Sequence, residues 1–248
     1  MRQALILAPY HAVSMWNWRN IYIGRLIEPV AYLVFLVAGI GGLVGPDGAA
    51  SYVAFAIPGL LCLIAFRAFT GAVADVSNDR KWGVFAIFMM QGGTALGYIV
   101  SIMIVALVLF IGQTIVALLA AVGVAALGGP SINLFQFLPV IPIAALVAAG
   151  WVGIGAVLGA LVQNYASRDL ITTLTTLPAV LSAPLFYPRE TAPAYLQVIN
   201  AINPLTYNVA WMRDPSWLSL LAAALWAGMG TLAAVFALGR AERVSRER

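Results

Sequence analysis

From Trp82 to Ser167 the chain carries no Asp, Glu, Lys or Arg, and a soluble fold has too little polar surface elsewhere to keep such a run out of water. A bilayer core of about 30 Å takes roughly 20 apolar helical residues, so the run suffices for two crossings. Inside lipid every backbone N–H and C=O must be paired within its own segment, which makes each long apolar run a helix. The rest of the chain agrees, with 62% of its 248 residues hydrophobic, 9% charged and a mean hydropathy of +0.96. The reading is an all-α polytopic membrane protein, one domain over 1–248 with six transmembrane helices.

The first crossing is placed at about 26–44, ending in the turn sequence Gly45-Pro46-Asp47-Gly48. The second covers about 52–74. Asp75-Val76-Ser77-Asn78-Asp79-Arg80-Lys81 follows, too polar for lipid and read as a connecting loop or surface helix. Gly128-Gly129-Pro130 divides the uncharged run into a third crossing at 94–121 and a fourth at 137–162. A fifth is expected at 170–185, with Ser167 as its N-cap and Pro184 and Pro188 at its end. The stretch 186–214, rich in proline and alternating aromatic with polar residues, reads as an interfacial or re-entrant segment. The sixth crossing is 217–238, before a tail bearing Arg240, Arg243, Arg246 and Arg248.

The net charge of +4 marks no nucleic-acid surface, because no basic stripe is interleaved with stacking aromatics. The basic residues sit at segment ends. Arg2, Arg19, Arg25, Arg80, Lys81, Arg168 and the tail arginines fall on one side, and only Arg189 and Arg213 on the other. Excess Lys and Arg mark the cytoplasmic side, so both termini are expected there, in a plasma (inner) membrane. Residues 1–25, interrupted by Pro9, His11, Asn17 and Asn20, lack the unbroken apolar core of a signal peptide. Pro9 to Asn20 reads instead as an amphipathic interfacial helix. Cys62 is the single cysteine and reads as a packing residue.

No catalytic constellation emerges. The single histidine, His11, lies outside the crossings without a second metal ligand and reads as an interfacial bystander. No phosphate-binding glycine loop is present, so this chain holds no nucleotide by that route and no cofactor or metal is expected on it. Two charges do fall inside apolar segments, Glu28 and Arg67. Antiparallel packing can pair them, a substrate can meet them, or they can snorkel to the interface. Thr172 and Thr176 share a helix face above Ser182. That face can line a pathway, or its hydroxyls can bond their own or a neighbouring helix. Gly155 and Gly159, with Gly150 and Gly153 nearby, form a close-packing face.

Several motifs resemble the permease subunits of type-2 ABC exporters, in particular the nodulation lipo-oligosaccharide exporter permeases and related drug and polysaccharide permeases. These are Glu28-Pro29, Ser51-Tyr52-Val53-Ala54-Phe55 through Pro58-Gly59, Asp79-Arg80 with Trp82, and Asn203-Pro204-Leu205-Thr206-Tyr207 with Arg213. The end of the fifth segment, Ser182-Ala183-Pro184, departs from the Ser-Gly and Phe-Pro common in the family, and Gln91-Gly92-Gly93 stands where a proline is common. The resemblance implies export of an amphipathic drug, glycolipid or lipid-linked saccharide. It implies a homodimer or close heterodimer bound to two copies of a separate ATP-binding subunit, which holds ATP and Mg. It also implies ATPase contacts at the N-terminal surface helix and the segment before the third helix, here Trp16, Trp18, Asp79, Arg80, Lys81 and Trp82.

Two other classes compete. A membrane-embedded lipid- or glycan-modifying enzyme needs clustered acids or histidines at the interface. A stand-alone ion-coupled transporter needs midplane ionisable groups or broken helices in repeated halves. Only Arg67 answers the second description, and no inverted repeat is evident.

Overall fold

The computed structural model describes residues 7–13, 19–129, 133–162 and 164–246, and among them there are helices and turns but no strand. A short helix α1 (7–13) precedes α2 (Arg19–Ala31), a π-helical stretch Tyr32–Val37 and α3 (Ala38–Val44). Then come α4 (Pro46–Lys81), α5 (Val84–Met90), α6 (Ala95–Ala126) and α7 (Val140–Leu161). The chain closes with α8 (Tyr165–Ser182), the short α9 (Ala194–Ile202) and α10 (Pro204–Arg213), and α11 (Trp217–Arg246).

The centre is a sandwich of α4, α7 and α11, made possible by glycines. A Cβ at Gly155 would run into the Phe69 carbonyl of α4, and one at Gly159 would meet Val73 one turn further on. On the opposite side of α7, Gly150 faces Trp226 and Gly153 faces Gly230 of α11. Small residues let helix backbones approach closely where lipid supplies no hydrophobic drive. The paired positions rise together along all three chains, so α4, α7 and α11 run parallel. Trp151 fills the remaining space edge-on to Phe66, 4.7 Å between ring centroids, and against Trp226 at 5.1 Å.

Five helical stretches are long and apolar enough to cross a membrane: Ile23–Gly41, Gly48–Lys81, Ala95–Ala126, Leu134–Leu161 and Trp217–Arg240. The sequence leads one to expect six. The fifth expected crossing forms a helix, α8, but with Arg168, Asp169 and four threonines in its 18 residues it does not join that group. Its cap is Asn164 rather than Ser167; the Asn164 side chain accepts from the Ser167 N–H at 2.8 Å. One end of α8 lies at Lys81, whose Nζ sits 3.6 Å from the Tyr165 ring centroid. Just past the other end, the Leu185 carbonyl lies against Gly59. The chain from Tyr165 to Leu185 thus covers the depth that α4 covers between residues 59 and 81, ~33 Å of helix.

A correction concerns the polar stretch after the second crossing. It is neither a loop nor a separate surface helix but the last two turns of the unbroken 36-residue α4. Its charged groups find partners on neighbouring helices, which removes the need for the helix to stop. The turn comes later, at Gly83, whose φ of 78° favours glycine.

Candidate functional site

Three polar constellations line the molecule from end to end. At the end of α4, Asp79 gathers two other elements. The Tyr98 hydroxyl of α6 donates to its Oδ2 at 2.7 Å, and the His11 Nε2 of α1 lies 3.8 Å from the same oxygen. Phe85 of α5 packs edge-on against the Tyr98 ring at 4.9 Å, so α1, α4, α5 and α6 meet at one place. Arg80 donates to the Ala160 carbonyl at the end of α7. The Lys81 Nζ lies 3.6 Å and the Arg168 guanidinium 4.9 Å from the Tyr165 ring centroid, and Arg168 also donates to Asn78 at 3.1 Å. Trp82, by contrast, stays 56% exposed. Trp16 and Trp18 lie outside the described residues.

His11 is no bystander here. Burial holds its imidazole below the ordinary 6.5, against the pull of the Asp79 carboxylate in the other direction. A depressed folded value means that the undocked chain takes up a proton first, so docking of α1 weakens as pH falls below 6.5.

Deeper in, Arg67 and Glu28 form an ion pair, each about one-third exposed. They do not stand alone. Arg25 and Glu28 lie three apart on α2, and Arg67, Gly71 and Asp75 lie four apart on one face of α4. The Arg25 guanidinium lies over Gly71, where a side chain would obstruct it, and interacts with Asp75. The Gln113 side chain of α6 donates to the Arg25 carbonyl at 2.8 Å. Arg25 therefore lies within the candidate span Ile23–Gly41, facing α4 and α6. Sequence reading misses Arg25, Asp75 and Gln113; the clue is the three-residue spacing on α2 set against the four-residue spacing on α4.

At the far end, the segment 186–214 folds as a 3-10 turn and two helices that dip and return. Leu205, at the start of α10, lies against Cys62 of α4, while Arg213 at its end lies 3.7 Å over the Phe55 ring, two turns away along α4. Asn203 holds the lowest point. Its side chain accepts from the Leu205 N–H and donates to Ser182 Oγ at 2.9 Å and the Ala179 carbonyl at 2.7 Å. Pro204 follows at the first helical position, where its missing N–H costs nothing. Tyr207 donates to the Ala201 carbonyl at 2.6 Å. Asn208, buried, accepts from the Trp151 indole at 2.9 Å and fixes α10 to α7. Arg213 donates to the Leu185 carbonyl at 2.8 Å, and Tyr52 to that of Phe186 at 3.1 Å. Burial lowers the Arg213 guanidinium to about 10, so it stays charged at neutral pH.

Of the hydroxyl-bearing residues on α8, Ser182 is held by Asn203, Thr172 and Thr176 lie on the half-buried side, and Thr175 donates to the Ile171 carbonyl of its own helix. No residue of α8 is fully buried, and Leu174, Leu177 and Leu181 stand outward.

Residues 2–215 match the family described as ABC-2 type transporter. The chain is similar to Nodulation protein J of Rhizobium leguminosarum bv. trifolii, at 28% identity over 214 residues, covering 79% of this chain and 78% of that protein. The corresponding protein of R. leguminosarum bv. viciae is 27% identical over 197 residues, covering 77% and 73%. That of Rhizobium meliloti (strain 1021) is 25% identical over 220 residues, covering 80% of each.

Proposed function

Because this chain belongs to the ABC-2 type transporter family, we propose that it is the membrane-spanning subunit of an ATP-driven exporter that moves an amphipathic molecule outward. The energy comes from a separate ATP-binding subunit, present in two copies, and the permease works as a homodimer or a close heterodimer. The observation that carries this reading is the junction at Asp79. There α1, α4 and α6 converge on one carboxylate beside an exposed Trp82, giving a soluble engine a rigid place to push.

The proposed topology has six crossings with both termini in the cytoplasm of a cell bounded by its inner membrane. α7 and α11 run parallel, so the chain between them must return through the membrane. α8 is the helix long enough to do so, with one end at Lys81 and the other beside Gly59. Its outward leucines and the absence of any fully buried residue on it support a second permease copy against this face.

Copurification with the ATP-binding subunit is the test. Vanadate-sensitive ATP hydrolysis is expected only in the complex, and Trp82→Ala is expected to uncouple hydrolysis from export while the permease stays folded. Nucleotide hydrolysis by the permease alone would end the proposal.

A further inference from the structure

Lys81 ends the longest of the apolar spans, Gly48–Lys81, and has no acidic partner among the described residues. The 34 residues of that span make ~51 Å of helix against a hydrocarbon core of about 30 Å, so the last turn of α4 stands in the headgroup layer. The other charges nearby are engaged. Asp79 takes the Tyr98 hydroxyl and His11, Arg80 donates to the Ala160 carbonyl, and Asp169 pairs with Arg168. Two residues separate Lys81 from Asp79, about 200° around α4. Lys81 therefore faces α8 and not the junction with α1, and its ammonium lies 3.6 Å from the centre of the Tyr165 ring.

Arg168 has capacity to spare. Its Nε serves Asp169 and its Nη1 serves Asn78, which leaves Nη2 with both of its N–H groups to offer. Its guanidinium lies 4.9 Å from the centre of the same ring, so both charges gather at Tyr165. Lys81 is exposed, and its four-carbon stem lets the ammonium swing off the ring towards an anion. The start of α8 adds the positive end of a helix dipole at the same place. One turn deeper on α8 than Arg168, the partly exposed Ile171 offers an apolar path leading into the bilayer.

We propose that Lys81 and Arg168 hold the phosphate of an anionic phospholipid at the edge between α4 and α8, with an acyl chain over Ile171. The site calls for an anion because Asp169 balances only one of its two cations. It calls for a lipid because this layer presents phosphates already anchored by their chains. A zwitterionic headgroup fits less well, since its own cation repeats the charge of the site. Lys81 is thereby taken out of the ATPase contacts that the family resemblance implies. The proposal rests on the chain being a multi-pass membrane protein and not on export.

The purified permease in detergent is offered equimolar dioleoyl phosphatidylglycerol and dioleoyl phosphatidylcholine, and retained lipid is read by native mass spectrometry. Phosphatidylglycerol is expected to be retained over phosphatidylcholine by roughly tenfold. Lys81→Gln, at an exposed position where the fold does not depend on the side chain, is expected to lower that preference about fivefold, and Lys81→Arg to restore it. Arg189→Gln removes the same charge at the far end of the molecule and is expected to leave the preference intact. Equal retention of the two lipids would overturn the proposal, as would an unchanged preference in Lys81→Gln or an equal loss in Arg189→Gln. Glycerol phosphate bound as strongly as phosphatidylglycerol would overturn the choice of a lipid. Loss of copurification with the ATP-binding subunit in Lys81→Gln, at unchanged lipid preference, would return the lysine to the ATPase and overturn it too.

Discussion

α7 and α8 follow one another in sequence and traverse the same depth of the molecule, yet they are built on opposite plans. α7 carries three glycines set against neighbouring backbones and a fourth, Gly150, set against the Trp226 ring, with Val147, Ala148 and Val152 fully enclosed. α8 has no fully buried residue and shows leucines outward, with threonines on its half-buried side. The contrast separates what holds one copy of the chain together from what a copy offers to its surroundings. Stability resides in the α4, α7 and α11 sandwich, whereas α8 is attached mainly at its ends, by Arg168 to Asn78 and by Ser182 to Asn203.

The sharpest way to break this comparison is Gly155→Val. The added atoms meet the Phe69 backbone, which cannot give way as a flexible side chain can. The expected cost is about 3 kcal/mol or more, read as loss of monodisperse protein on size exclusion. A folded Gly155→Val protein of normal midpoint would show that the sandwich is looser than its contacts imply.

A finer test lies within α11. Gly230 faces Gly150, and a Cβ there would reach its carbonyl, while at Gly228 nothing lies within 4 Å. Gly230→Ala is expected to cost ~1–3 kcal/mol, whereas Gly228→Ala should be neutral or stabilising by up to about 1 kcal/mol through helix propensity. Thermal midpoints in one detergent compare the two directly. Equal effects would mean that the α7 and α11 contact contributes little.

The smallest effect on stability belongs to α8. Leu174→Trp, on its outward side, is expected to move the thermal midpoint of the monomer by no more than about 0.5 kcal/mol equivalent while lowering the fraction of the proposed dimer. A large loss of monomer stability would make α8 part of the core and erase the contrast.

Much of this architecture is legible in the sequence because lipid is an undemanding reader: apolar length and glycine spacing carry most of the message. Glu28 and Arg67 stand out because a charge in an apolar run needs a partner. The polar end of α4 reads falsely as a break, since the sequence shows the charges Asp79 and Arg80 but not the Tyr98 hydroxyl and Ala160 carbonyl that receive them. His11 looks idle for the same reason, its neighbour lying 68 residues away on another helix. Arg25 is counted among the segment-end charges because loop-charge counting cannot see that its guanidinium reaches Gly71 and Asp75 of α4. α8 is the reverse case. It is read as a crossing from its own apolar run and end signals, while its composition stays below that of the other five.

The continuity of α4 has a mechanical consequence. One rod joins the Asp79 junction to Tyr52 and Phe55 towards its other end, and about a third of the way from that end lies Pro58 beside the glycine seated on Leu185. A rod interrupted at that point by a missing hydrogen bond behaves as a lever with its fulcrum there. A swing of ~5° about Pro58 would displace the Lys81 end by ~3 Å, given ~33 Å of helix between them. The same swing would carry Tyr52 and Phe55 a shorter distance the opposite way, pulling on the carbonyls of Phe186 and Leu185 through Tyr52 and the arginine stacked on Phe55.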